Sequence, residues 1–144
     1  MSAPSFGNVA RPGVPFGKSG RYQTRIGLVL MVLAVLFLLT DALMKLLALP
    51  NVLLSTAMLG YPGTPDFARA LGVVLLICTL LYAWPRTAAL GAVLLTAYLG
   101  GAVASQVRVG SPLISHILSG LYVALVVWGG LFLRDHRVRA IFSA

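Results

Sequence analysis

Four apolar stretches, separated by short breaks rich in proline and glycine, dominate the pattern of this chain. The first runs from Arg25 to Leu49, and residues 26–39 within it carry no charged or strongly polar side chain. Such a stretch is typical of a helix surrounded by lipid and is rare in a water-soluble helix. The same pattern predicts further spans at residues 67–84, 87–107 and 113–133. We therefore predict an all-α fold, a bundle of four transmembrane helices within residues 25–134.

The breaks between these stretches contain residues that end and start helices. Pro50 ends the first helix, and the apolar-leaning residues 51–59 stop at Gly60, which predicts a short helix lying in the membrane interface. Residues 64–66 combine a threonine cap, a proline and an aspartate, the order found at helix starts. Residues 110–112 similarly combine a glycine that ends one helix with a serine cap and a proline that start the next.

The two ends of the chain are predicted to lie outside the bundle. Residues 1–24 contain prolines, glycines and basic residues with almost no hydrophobic periodicity, so we expect a disordered tail there and a shorter tail at residues 135–144. With 144 residues, 59% of them apolar and 10% charged, the chain fits one integral membrane domain. Its single cysteine, Cys78, excludes an intrachain disulfide and a thiolate metal cluster.

The distribution of lysine and arginine predicts the orientation in the membrane. Only Lys45, Arg69 and Arg108 fall at one side of the predicted bundle, and all other basic residues fall at the opposite side. That excess favours both termini in the cytoplasm, and we expect a bacterial inner (plasma) membrane. The basic residues flank apolar segments and do not form a stripe with interleaved aromatics, so nucleic acid is not an expected partner.

Small residues recur every four residues along one side of the third predicted span. Small residues at this spacing let helix backbones approach each other closely in lipid, which predicts a central helix. The predicted packing residues are Ala88, Ala92, Thr96, Gly100, Gly101 and Ala104.

Polar side chains from all four spans are predicted to meet in one layer near the outer membrane surface. Asp41 and Lys45 are spaced i and i+4, which places them on one helical face. A rise of ~1.5 Å per residue puts Asp41 and His116 at about the same depth. The ligand-binding candidates in this layer are Asp41, Lys45, Arg69, Gln106, Arg108 and His116.

Functional and structural interpretations both remain open for this layer. Intramembrane carboxylates are rare, which favours a ligand or proton site at Asp41, but a purely structural ion pair with Lys45 explains the pattern equally well. Arg69 and Arg108 also fit ordinary flanking charges. His136 falls at the opposite end from His116, so we expect no metal site, and the chain contains no recognisable catalytic motif. Tyr61 and Tyr98 are weaker candidates.

Several sequence segments together resemble the DoxX-like family of small four-helix integral membrane proteins. They are TDALMKL at residues 40–46, LGYP at 59–62, LYAWPRTAALGAVLLTAYLGGAVASQVR at 81–108, GSPLISHIL at 110–118 and WGGLFLRDHRVRA at 128–140. The family takes its name from a membrane subunit of a thiosulfate:quinone oxidoreductase, and relatives are proposed to act in redox-stress complexes or receptor assembly. No catalytic residue is implied by the resemblance.

Three functions are compatible with these observations. The first is an accessory subunit of a membrane oxidoreductase, not catalytic by itself, whose outer polar layer binds a quinone or a small anion; no intrinsic cofactor is expected. The second is a membrane assembly or scaffold protein that recruits other membrane helices, and the third is a small exporter. The expected partners are the lipid bilayer, a membrane oxidoreductase or another membrane protein, and further copies of the chain.

Overall fold

The computed structural model describes residues 19–110, 118–135 and 138, and within them it contains only helices as regular structure. The all-α prediction is therefore confirmed. The helices are α1 (Ser19–Leu46), α2 (Pro50–Met58), α3 (Pro65–Ala83), α4 (Ala88–Arg108) and α5 (Leu118–Arg134). Three segments are long and apolar enough to cross a membrane: Tyr22–Leu46, Pro65–Ala83 and Ala88–Arg108. Helix α5 is also apolar but has 17 described residues.

The four long helices pack side by side around a common core. Helix α1 packs against α3 and α5, and α4 packs against the same two helices, so that they form a closed ring. The short helix α2 contacts α3 at the end of the ring where α1 and α4 finish. Outward-facing side chains such as Leu33, Leu36 and Ile77 are apolar and more than half exposed. An apolar exterior of this kind suits a lipid environment.

The first helix begins earlier than the hydrophobic pattern predicts. Helix α1 starts at Ser19, whereas the apolar run suggested a start at Arg25 and a tail over residues 1–24. Hydropathy marks the part of a helix that lipid can surround, and a helix can continue past it into polar sequence. The remaining residues of the predicted tails, 1–18, 136–137 and 139–144, lie outside the described residues.

Two residues with positive φ turn the chain at either end of α2. The Leu49 N–H donates to the Met44 carbonyl and the Ala48 N–H donates to the Lys45 carbonyl, a Schellman arrangement with Ala48 at φ 50°. At the other end, Gly60 has φ 81°. These turns lay α2 across the end of the ring, which agrees with the predicted short helix after Pro50.

The core depends on close contacts between helix backbones at glycines. A Cβ on Gly27 would lie 3.0 Å from the Gly130 carbonyl oxygen, and a Cβ on Gly72 would lie 3.0 Å from the Ala42 carbonyl oxygen. Gly91 faces the backbone of Tyr82, whose side chain is fully buried and donates a hydrogen bond to the Val127 carbonyl at 2.8 Å. Glycines thus join α1 to α5, α1 to α3, and α4 to α3.

The small-residue ridge predicted on α4 is buried at its first two positions only. Ala88 and Ala92 are buried, whereas Thr96, Gly100, Gly101 and Ala104 are exposed. A Cβ on Gly100 or Gly101 would meet no atom of the described residues within 4 Å. Spacing alone could not distinguish the buried from the exposed positions, because it does not show where a neighbouring helix leaves the ridge.

Two glycine substitutions on α4 test this division. We expect G91A to destabilise the protein by about 1–3 kcal/mol or more, because the added Cβ would lie 2.2 Å from the Tyr82 backbone nitrogen. The matched variant G100A adds the same methyl group to open space and should not destabilise. SDS-induced unfolding in detergent micelles measures both free energies; equal effects would contradict the packing described here.

Candidate functional site

A cavity of about 680 Å³ lies at the end of the ring where α1 and α4 finish. Every helix contributes side chains to its wall, including Asp41 from α1, Thr56 from α2, Phe67 from α3, Gln106 from α4 and Ser119 from α5. The wall mixes hydroxyl, amide and charged groups with larger apolar side chains. Pockets of about 300–1,000 Å³ with a few polar groups in apolar surroundings are typical small-molecule sites.

The charged side chains that the described residues place on this wall form one ion pair. Lys45 Nζ donates to Asp41 Oδ1 at 2.5 Å, with the Lys45 side chain 18% exposed and that of Asp41 40% exposed. Gly72 packs beside the Lys45 Cβ, so the α3 backbone covers the lysine stem. The predicted pairing on one helical face therefore forms, and its two charges balance each other.

A hydroxyl pair connects the segment after α2 to α4. The Ser105 hydroxyl donates to the Gly101 carbonyl at 2.9 Å, so its oxygen is free to accept from the Tyr61 hydroxyl 2.8 Å away. The Tyr61 ring also stacks on Phe67 at the start of α3, with ring centroids 5.4 Å apart. The four residues Tyr61, Phe67, Gly101 and Ser105 all border the cavity. Tyr61 therefore forms the part of the cavity wall where the segment after α2 meets α3 and α4.

The predicted candidate Arg108 holds the same segment from outside the cavity. Its Nη2 donates to the Leu59 carbonyl at 2.9 Å, and its guanidinium carbon lies 5.8 Å from the Tyr61 ring centroid. A Cβ on Gly60 would lie 2.9 Å from that same Nη2. Arg108 can therefore approach because residue 60 is a glycine with left-handed backbone.

The remaining candidates divide between the cavity and its surroundings. Gln106 borders the cavity together with Asp41 and Lys45. Arg69 instead lies at the exposed start of α3, with its Nη1 3.6 Å from Asp66 Oδ1. Neither Arg69 nor Arg108 is among the described residues that border the cavity. His116 lies outside the described residues.

Tyr61, Tyr98 and Ser105 also border the cavity, although the sequence indicates the two tyrosines only as weaker candidates and does not indicate Ser105. Tyr61 and Ser105 are 44 positions apart in the chain, a distance at which no local spacing pattern relates two residues. Tyr98 borders the same cavity as Asp41. The sequence contains one indirect indication of Tyr98: it lies on the same α4 segment as the candidate Gln106 and the small residues.

Comparison with known proteins agrees with the resemblance seen in the sequence. The sequence model described as the DoxX-like family matches residues 29–130. The chain belongs to the DoxX-like family. The matched region includes residues from every helix that borders the cavity of this DoxX-like protein. No curated protein and no solved structure matches the chain.

No cluster of three or more His, Cys, Asp or Glu side chains occurs in the parts of this DoxX-like chain that the structure describes. The cavity chemistry available from those parts consists of one ion pair, several hydroxyls and the side-chain amides of Asn51 and Gln106. Such groups bind and orient a ligand through hydrogen bonds.

A double-mutant cycle on Asp41 and Lys45 tests whether the pair acts as a unit. D41A should destabilise this DoxX-like protein by about 1–3 kcal/mol, because it leaves the Lys45 ammonium largely buried without its acceptor. The double variant D41A/K45A should lose less than the sum of the two single losses, as measured by SDS-induced unfolding in micelles. Simple additivity would show that the two charges do not interact.

Removing the Tyr61 hydroxyl tests the connection between α2 and α4. Y61F keeps the ring that stacks on Phe67 but loses the bond to Ser105, so we expect a loss of about 0.5–1.5 kcal/mol in unfolding free energy. Y122F removes a hydroxyl from an exposed tyrosine on α5 and is the matched control. Equal stability of both variants would mean that the hydroxyl pair contributes nothing.

Proposed function

We propose that this DoxX-like protein spans the membrane with four helices and binds a quinone in the cavity, as an accessory subunit of a membrane oxidoreductase. The observation that carries the proposal is the cavity itself, with a compact set of polar groups set in an apolar wall. In this role the chain holds the quinone, and a partner subunit exchanges electrons with it.

Helix composition supports the membrane arrangement. Three helices meet the length and apolarity needed to cross a bilayer, and α5 is also apolar and packs against both α1 and α4. Arg25, Arg86 and Arg134 fall at the end of the ring opposite the cavity. By the positive-inside rule this end faces the cytoplasm, together with both termini, and the cavity faces the outer side of the bacterial inner membrane.

The charge distribution favours a neutral ligand over the small anion that the sequence also allowed. Lys45 is neutralised by Asp41 at 2.5 Å. Arg69 pairs with Asp66, and Arg108 is engaged with the Leu59 carbonyl and the Tyr61 ring. Since none of these cations is left to face the cavity alone, an anion would gain little electrostatic stabilisation there.

The apolar part of the wall matches the remainder of a quinone. Phe37, Met44, Leu71 and Val123 come from three different helices and border the same cavity as the polar groups. An aromatic ring and the first units of an isoprenoid tail would bury apolar surface against them, at roughly 25 cal/mol per Å². A neutral ring with polar edges and an apolar tail satisfies both kinds of wall.

A scaffold function has one specific observation in its favour. Gly100 and Ala104 are exposed on α4, and a Cβ on Gly100 would meet no described atom within 4 Å. A surface of small residues lets another membrane helix approach closely. Under this alternative, a stoichiometric membrane partner would co-purify with the protein, and enlarging Gly100 would release that partner.

A pair of neighbouring glycines tests the two functions with one experiment. Gly101 borders the cavity and Gly100 does not, yet a side chain at either position meets open space. We expect G101L to occupy the part of the cavity beside α4 and weaken binding of short-chain benzoquinone and naphthoquinone probes at least tenfold, and G100L to leave binding unchanged. Titration calorimetry in lipid nanodiscs measures affinity, and thermal unfolding checks that both variants remain folded.

Two other outcomes would contradict the quinone site or favour the scaffold function. Wild-type affinity in a folded G101L variant would remove the cavity as the quinone site. Absence of probe binding to the wild-type protein, combined with loss of a co-purifying partner in G100L, would favour the scaffold function. Native mass spectrometry after gentle detergent extraction detects both a retained quinone and a partner subunit.

A further inference from the structure

We infer that Tyr98 and Gln106 hydrogen-bond the two opposite oxygen atoms of a flat para-dione head group that lies on Ala102. This assignment rests on the quinone site proposed above and names the part of the cavity wall that recognises the ligand. It depends on where these two side chains lie along α4 and on the hydrogen bonds that each of them lacks.

Tyr98 and Gln106 lie on either side of a small residue on α4. Ala102 lies four residues after Tyr98 and four before Gln106, so the three occupy successive turns of nearly one face. Tyr98 and Gln106 are therefore about 12 Å apart along the helix axis. Ala102 and its neighbour Gly101 both border the cavity and present almost no side chain. The cavity wall therefore has a polar side chain at each end of a segment formed by two small residues.

The hydrogen-bonding state of the cavity side chains separates Tyr98 and Gln106 from the hydroxyls around them. Ser55, Thr56 and Ser105 each donate to the carbonyl four residues earlier in their own helix. Tyr98 and Gln106 are half-buried and border the same cavity, but neither side chain has a hydrogen-bond partner among the described residues. A half-buried hydroxyl or amide without a partner is unfavourable, which leaves both groups available to a ligand.

The chemistry of the two groups indicates the class of ligand. A tyrosine hydroxyl and a glutamine amide can each donate or accept, so the pair can serve the carbonyls of a dione and the hydroxyls of its reduced form. The Asp41–Lys45 pair on the same cavity wall carries no net charge, which suits a neutral head group. A flat ring with oxygens at opposite edges would form a hydrogen bond with each of the two side chains.

Conservative variants of the two residues test this assignment. Y98F and Q106L each remove hydrogen-bonding atoms while keeping much of the side-chain volume, so each should weaken binding of a short-chain benzoquinone about 3- to 10-fold. Neither variant should change binding of a hydrocarbon probe with the same ring and tail but no oxygens. Y122F, on the exposed face of α5, is the matched control and should bind both probes as the wild type does.

The results separate this assignment from the quinone site itself. Wild-type quinone affinity in Y98F and Q106L, with affinity lost in G101L, would overturn the roles of Tyr98 and Gln106 and leave the cavity as the site. Equal weakening of both probes would also overturn them, because it would show that these residues only shape the wall. Retained affinity in G101L would remove the site altogether.

Discussion

Direct contact between helix backbones at single glycines is the constraint on which the rest of this structure depends. Lipid does not drive helices together as water does, so a membrane bundle relies on close packing and on interhelical hydrogen bonds. Gly72 brings α3 against the Ala42 carbonyl, and Gly27 brings α1 against the Gly130 carbonyl. Gly72 also lies beside Lys45, so the contact that joins α1 to α3 positions one wall of the cavity.

Local balancing of charge follows from the same environment. An unpaired ion is costly near lipid, and each charged candidate at this end of the ring has a partner of its own. Lys45 bonds Asp41, Arg69 lies near Asp66, and Arg108 bonds the Leu59 carbonyl. The cavity therefore gains polar character without a net charge from the described residues around it. Under the proposed function, that combination favours a neutral amphipathic ligand over an ion.

The sequence predicted those features that depend on neighbouring residues in the chain. Hydropathy located the long apolar helices, the proline and glycine breaks located α2, and the i, i+4 spacing identified the Asp41–Lys45 pair. The bond from Arg108 to Leu59 joins positions 49 residues apart, so it arises only when α4 and the end of α2 are brought together. The spacing of small residues predicted one continuous packing ridge on α4. Spacing shows which residues share a helix face, but it does not show which other helix lies against that face.

Helix α4 links the two functions that the fold can support. Its first half is held by Gly91 against the Tyr82 backbone, whereas its second half meets Gly120 of α5 through the Val103 side chain and borders the cavity through Gly101 and Gln106. Gly100 and Ala104 are exposed on the same second half. A ligand bound in the cavity and a membrane helix packed on that small-residue surface would therefore act on one segment. Ligand binding and recruitment of a partner are thus compatible in this fold, and each would stabilise the second half of α4.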